Sequence, residues 1–206
     1  MGKRVFVLTI LSLHVVLSGY AHLEQEVAGE ERGAIESTLH ITVEGGHAAA
    51  LMEELPHLFD NYASYEVGIT EEKGFTTVSL NNGLYENDMT AALSHYETEV
   101  AGYSSSKKNL PFYYVESVET NLILSEDIAV FLEEEGLVVE SSIIVSYPGM
   151  KSDAHAEGDN HIWKSDTNNF QLEFTIEDNN LHLPVVGIIS ILAGAVGILK
   201  KKETVS

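Results

Sequence analysis

Leu137–Tyr147, LVVESSIIVSY, is the stretch on which the fold reading rests. Its valines and isoleucines carry branched β-carbons that fit a pleated backbone better than a helix, so the run predicts a strand. Pro148-Gly149 turns the chain at its end. Downstream, after an acidic loop, His161–Lys164 and Phe170–Glu177 predict two more strands. In the second of these Phe170, Leu172, Phe174 and Ile176 face one way, and Gln171, Glu173, Thr175 and Glu177 the other.

Working upstream, Ser125–Glu135 predicts a short helix closed by Gly136, Phe112–Leu124 a strand, and Ser104–Asn109 a polar loop. Asn87 or Asp88 caps a helix whose stripe is Met89, Leu93, Tyr96 and Val100. Asn81-Asn82-Gly83 signals a turn. Tyr65–Thr70 and Phe75–Leu80 predict a hairpin around Glu71–Gly74. Residues 47–62 carry Leu51, Leu55, Leu58 and Tyr62 at helical spacing, with Pro56 expected to kink or divide the helix. Thr38–Glu44 alternates, with Leu39, Ile41 and Val43 on one face, and Gly45-Gly46 ends it. Residues 22–33 are polar and acidic and read as a loose leader. The order predicts an α+β class: a mainly antiparallel sheet backed by two or three helices.

The two ends are apolar. Met1–Ala21 reads as a secretory signal peptide: Lys3 and Arg4, the apolar run Val5–Leu17, then Gly19 and Ala21 as small residues at a cleavage site. Leu183–Leu199, LPVVGIISILAGAVGIL, has no charge across seventeen residues and predicts a C-terminal transmembrane helix. Lys200–Lys202 would hold the tail in the cytoplasm. The expected organisation is signal peptide 1–21, acidic leader 22–34, extracytoplasmic α+β domain 35–180, transmembrane helix 181–199 and basic tail 200–206. The expected location is the cell membrane, single-pass, with the ectodomain outside.

Between those ends, about 160 residues suffice for one domain with a core of its own. There is no cysteine, which excludes disulfide staples, a cysteine nucleophile, zinc-thiolate and iron–sulfur sites, and a lipidated cysteine. His22–His182 holds six of the eleven basic residues and 31 of the 32 acidic ones, a formal charge of −25. Such a surface repels phosphate backbones, so nucleic acid is excluded as a partner.

Tyr147-Pro148-Gly149, a polar loop, Gly158, then Ile162-Trp163 and an alternating strand together resemble a pattern in LppM-like domains of bacterial and other prokaryotic cell-envelope surface proteins. The resemblance covers about thirty residues. The chain departs from the lipoprotein members in having no lipobox cysteine. The resemblance implies a non-catalytic α+β module of the cell envelope that binds lipid or glycolipid, and it carries no site residue. On physical grounds alone, Pro148-Gly149 is a turn ending a long strand, and Trp163 covers one end of a sheet.

No HExxH, GxxxxGK, GxGxxG or GxSxG pattern is present. The one loop with chemistry at regular spacing is Asp153, His155, Glu157, Asp159 and His161. If the segment is extended, these five side chains share a face, as either a metal site or a solvated hairpin would have them. His40 falls on the polar face of its strand. Glu133–Glu135 sits at a helix C-terminus, where negative charge opposes the macrodipole.

The expected function is therefore a membrane-anchored extracytoplasmic module, non-enzymatic and without a cofactor, displaying a binding domain for a lipid, glycan or protein partner. Two alternatives stay open. One is a metal-binding envelope protein or metal-dependent enzyme using the 153–161 loop. The other is a small structural subunit of a membrane complex.

Overall fold

Alternation between buried and exposed residues runs through most of the chain, and strands follow from it. The computed structural model describes residues 19–29, 34–59, 61–86, 89–100, 104–110 and 113–179. They form twelve strands: β1 Gly19–Gly29, β2 Ala34–Glu44, β3 Glu66–Glu72, β4 Phe75–Glu86, β5 Glu97–Val100, β6 Ser104–Leu110, β7 Tyr113–Leu124, β8 Leu137–Ser146, β9 Met150–Ser152, β10 His155–Glu157, β11 Asn160–Ser165 and β12 Asn169–Asn179. Three α-helices interrupt them: α1 Ala48–Leu58, α2 Met89–Ser94 and α3 Glu126–Glu134.

The strands make two sheets. The larger runs β10-β11-β8-β1-β2-β4-β3, and the smaller runs β5-β7-β12-β9, with β6 also paired to β7. β1 lies at the centre of the larger sheet, parallel to β8 and antiparallel to β2. Its inner face is Ala21, Leu23, Gln25 and Val27, all at zero exposure. Ile35, Leu39, Ile41, Val43, Val78, Leu80, Val139, Ile143 and Val145 extend that face across the neighbouring strands. The smaller sheet contributes Val118, Leu122, Leu124, Phe170, Leu172, Phe174 and Ile176, and the two sets join in one core with Leu51 and Leu55 of α1 and Ile128 and Leu132 of α3. The chain passes between the sheets several times, and at Tyr147-Pro148-Gly149 it does so directly from β8 to β9.

Gln25 is the polar residue at the centre of this core. Its Nε2 lies 3.0 Å from the Leu93 carbonyl, 3.1 Å from the Ala92 carbonyl and 3.2 Å from Ser37 Oγ. It therefore ties β1 to carbonyls at the end of α2, which a helix terminus cannot satisfy internally.

The expected α+β class is corrected by this arrangement: the described residues are mostly β-strand, with three short α-helices. Two segments read as non-structured are strands. Residues 22–29, read as leader, lie within β1, and Ser104–Asn109, read as a loop, lie within β6. The helix expected from Met89 stops at Ser94, because Tyr96 turns inward to donate its hydroxyl to the carbonyls of Ser37 and Leu80. β5 then begins at Glu97.

The single-pass membrane reading is corrected as well. No helix among the described residues is long and apolar enough to cross a membrane. The longest, α1, has 11 residues, which at ~1.5 Å per residue is roughly half of a ~30 Å hydrocarbon core. Gly19–Ala21, read as the end of a signal peptide, start β1. Residues 1–18 and 180–206, which include the Leu183–Leu199 segment, lie outside the described residues.

Candidate functional site

Helix α3 starts after Ser125, which sits in the left-handed region at φ 44° and spends its hydroxyl on the Tyr96 carbonyl at 2.8 Å. Glu126 and Asp127 occupy the first turn, where carboxylates are favoured by the unpaired N–H groups of the helix end. Ile128, Ala129 and Leu132 are buried, and the helix lies against β8 and β5. The opposite stripe, Asp127, Val130, Phe131 and Glu134, follows the i, i+3, i+4, i+7 spacing of one helix face.

Helix α1 packs beside it. Leu51 and Leu55 are buried, and the helix continues only two residues past Pro56. Glu54 and His57 flank the buried face, and Leu58, on the same stripe as Leu51 and Leu55, is half-buried at its end. Phe59 follows in an extended conformation, and its ring packs 5.4 Å from that of Tyr65.

Between the two helices lies a groove of about 790 Å³. Leu58, Phe59, Val130 and Phe131 are its apolar lining; Glu54, Glu126, Asp127 and Glu134 are its acidic lining; His57 completes it. Val130 is 47% exposed, unusual for a branched apolar side chain at mid-helix. The groove thus pairs a small apolar patch, of which Val130 is the exposed member, with four carboxylates, and has neither lysine nor arginine in its lining.

The outward face of the larger sheet carries a second polar group. Glu24 of β1 lies opposite His40 of β2. His22 Nε2 is 3.6 Å from Glu24 Oε2 and 3.0 Å from Ser142 Oγ; His40 Nε2 is 3.4 Å from Glu26 Oε2, and its Nδ1 is 2.8 Å from Ser79 Oγ. Ser79–His40–Glu26 has the connectivity of a nucleophile, base and acid. It lies on a sheet whose strands pair on both sides, so backbone N–H groups serve the ladder instead of stabilising an oxyanion. These are cross-strand pairs.

The Glu24 carboxyl is held below the ordinary carboxylate range chiefly by the His22 ring, and that of Glu26 chiefly by His40; burial opposes both. A carboxylate with a lowered folded pKa adds stability that is complete above its unfolded pKa of ~4.3 and is lost as pH falls through the folded value. Acid unfolding of the Glu24→Gln, Glu26→Gln double variant should therefore be less steep below about pH 4.5. Both groups are partly exposed, so the difference should be about 0.5 kcal/mol per pair after solvent screening. Denaturant titrations at a series of pH values would measure it, and parallel curves would disprove the linkage.

The five residues of the 153–161 loop do not share a face. A turn at Gly158-Asp159 folds β11 back on β10. His155 and Glu157 stay exposed on the edge strand, 3.3 Å apart. His161 points the other way, is buried, and places Nδ1 2.7 Å from Ser152 Oγ. Asp153 accepts a hydrogen bond from Trp163 Nε1 at 3.2 Å, and Asp159 stays exposed in the turn. Among the described residues no group of three or more His, Cys, Asp or Glu side chains is arranged to hold a metal ion.

No family model matches the chain, and no curated protein matches it. Among solved structures it is similar to the folded domain of LppM from Mycobacterium tuberculosis, determined by NMR, at 8% identity and a TM-score of 0.43, over 81% of this chain and 95% of that one. The likeness is one of fold, and distant; no residue and no function passes across it.

His95 sits in an aromatic group. Its Nε2 is 3.0 Å from the Tyr65 hydroxyl, and its Nδ1 is 3.3 Å from Asn82 Nδ2. Burial lowers its pKa and raises those of Tyr65, Tyr85 and Tyr96. The rings of Tyr65, Tyr85 and Tyr96 pack against His95 at centroid distances of 4.7 to 5.8 Å, filling the space between them. This group supports Phe59 from behind, through Tyr65.

The groove residues escaped sequence reading because they come from two segments distant in sequence, and most lie outside the buried stripes of their helices. The available signal was Asp127, Val130, Phe131 and Glu134, two apolar residues on an otherwise acidic exposed face.

Proposed function

We propose that this domain is a non-catalytic binding module, and that the groove between α1 and α3 takes a basic, amphipathic segment of a protein partner. The observation that carries the reading is the lining itself: exposed Val130 with Phe131, Leu58 and Phe59, flanked by Glu54, Glu126, Asp127 and Glu134. An apolar side chain entering the groove gains ~25 cal/mol for each Å² it removes from water. Lysine or arginine beside it gains ~0.2–1 kcal/mol per screened pair, and steers association. A lipid tail would need space inside the core, and Leu51, Leu55, Ile128 and Leu132 occupy the interior behind these helices.

Glu134 gives a discriminating test. Its carboxylate lies in the last turn of α3, where negative charge is unfavourable. Glu134→Gln should raise stability by ~0.3–1 kcal/mol while weakening a basic ligand two- to fivefold, as expected for one lost pair of ~0.5–1 kcal/mol. The probe is a synthetic amphipathic peptide of lysine and leucine, titrated calorimetrically against wild type and variant at low and high ionic strength. Binding should weaken with salt. No heat at low salt, or affinity indifferent to both salt and Glu134, would end this reading.

A further inference from the structure

We infer that β3 is a docking edge for an extended, basic strand of another protein, independently of the groove. The larger sheet ends in two strands, β10 and β3. β10 has three residues, too few for a useful ladder. β3 has seven, Glu66-Val67-Gly68-Ile69-Thr70-Glu71-Glu72, a span of roughly 23 Å. It pairs with β4 on one side, and among the described residues no strand pairs with its other side. Six of its seven residues are exposed. Ile69, at 53%, is among the most exposed large apolar side chains described.

An edge like this presents backbone donors and acceptors in a row, and the charges along it decide what can add. Those on β3 have one sign and stand near its ends: Glu66 at one, Glu71 and Glu72 at the other. Lys73, in the turn beyond, is 2.8 Å from Glu72. Val67–Thr70 between them is uncharged.

A second copy of β3 added antiparallel about Ile69 would set Glu66 against Glu72 twice, and a parallel copy in register would set each glutamate against itself. Like charges directly opposite are destabilising, so the pattern turns away this chain. The same pattern favours a strand with lysine or arginine across from Glu66 and Glu72 and a branched apolar residue across from Ile69. Glu66, Gly68, Thr70 and Glu72 share one face and Val67, Ile69 and Glu71 the other. The fitting partner therefore alternates and has basic residues at its two ends.

The test uses the peptide Lys-Val-Thr-Val-Thr-Val-Lys, blocked at both termini, and its counterpart with glutamate at both ends. Amide hydrogen exchange of the whole protein is followed at residues 66–72. The lysine peptide should slow exchange at the outward-facing amides of β3 by tenfold or more at saturation, and the glutamate peptide should not. The Glu66→Lys, Glu72→Lys variant should reverse that preference, which a general affinity for cations elsewhere on this acidic protein would not do. Because β3 and the groove are separate, Glu134→Gln should leave the effect unchanged. The inference is overturned if the lysine peptide gives no slowing, if both peptides slow exchange equally, if the amides of residues 67–70 that face away from β4 are already protected in the free protein, or if the protein dimerises through this strand.

Discussion

Gly149→Ala is expected to lower stability by about 3–4 kcal/mol, most of what a marginally stable domain can lose. Two costs add at this position. The residue has φ 75°, in the left-handed region, where a side chain costs ~1–2 kcal/mol. A β-carbon there would stand 2.4 Å from the Glu177 carbonyl oxygen. That atom belongs to the backbone of β12, which cannot move aside without its ladder partners, so the overpacking adds ~1–3 kcal/mol. The approach is close because Gly149 accepts a hydrogen bond from the Glu177 N–H at 3.2 Å, just before Met150 pairs with Ile176. This corner is one of the places where the chain leaves the larger sheet for the smaller. Gly158→Ala is the control. It also has positive φ, at 68°, but opens onto free space, so its cost should be only the ~1 kcal/mol of conformation. Denaturant unfolding of both variants would show the difference. Equal losses would mean that the corner does not constrain the fold.

That corner was legible in the sequence as a turn, and its role was not. Tyr147-Pro148-Gly149 announces a reversal through proline and glycine alone; that it joins two sheets depends on where β12 lies. β8 and β12 could be read directly, because branched residues or strict alternation specify a half-buried strand without outside help. β1 could not. Gln25 interrupts the apolar file of Ala21, Leu23 and Val27, and the acidic residues beside it look like a solvated tail. The α2 carbonyls and Ser37 Oγ take up the buried Nε2 of Gln25, and no pattern in the strand's own sequence announces them. β6, Ser104–Leu110, has little β-forming character of its own, and its strand conformation comes from pairing with β7. The 153–161 loop misled for a related reason. A period of two groups side chains only while the strand continues, and the Gly158-Asp159 turn reverses it. The groove was beyond reach in another sense. Periodicity reports one helix at a time, and this groove forms only where segments distant in sequence are brought together.

Phe174→Ala should cost ~3–5 kcal/mol, the usual range for emptying a large aromatic site in a core. Phe174 is buried in β12, opposite Val118 of β7 and Ser152 of β9. Its ring centroid lies 6.1 Å from that of Trp163 in β11 of the other sheet. Alanine would remove the ring at the junction of the two sheets, and neither could close the gap without leaving its own ladder. The consequence for cooperativity follows. Because both sheets draw on one core, the variant should still unfold in a single transition, at lower denaturant. Trp163 is the only tryptophan, so its emission reports this junction while far-ultraviolet dichroism reports strands throughout. The two signals should change together in wild type and variant alike. If tryptophan emission shifted at clearly lower denaturant than the dichroism, the junction at Phe174 and Trp163 would open before the sheets unfold, and the two sheets would not share one cooperative core.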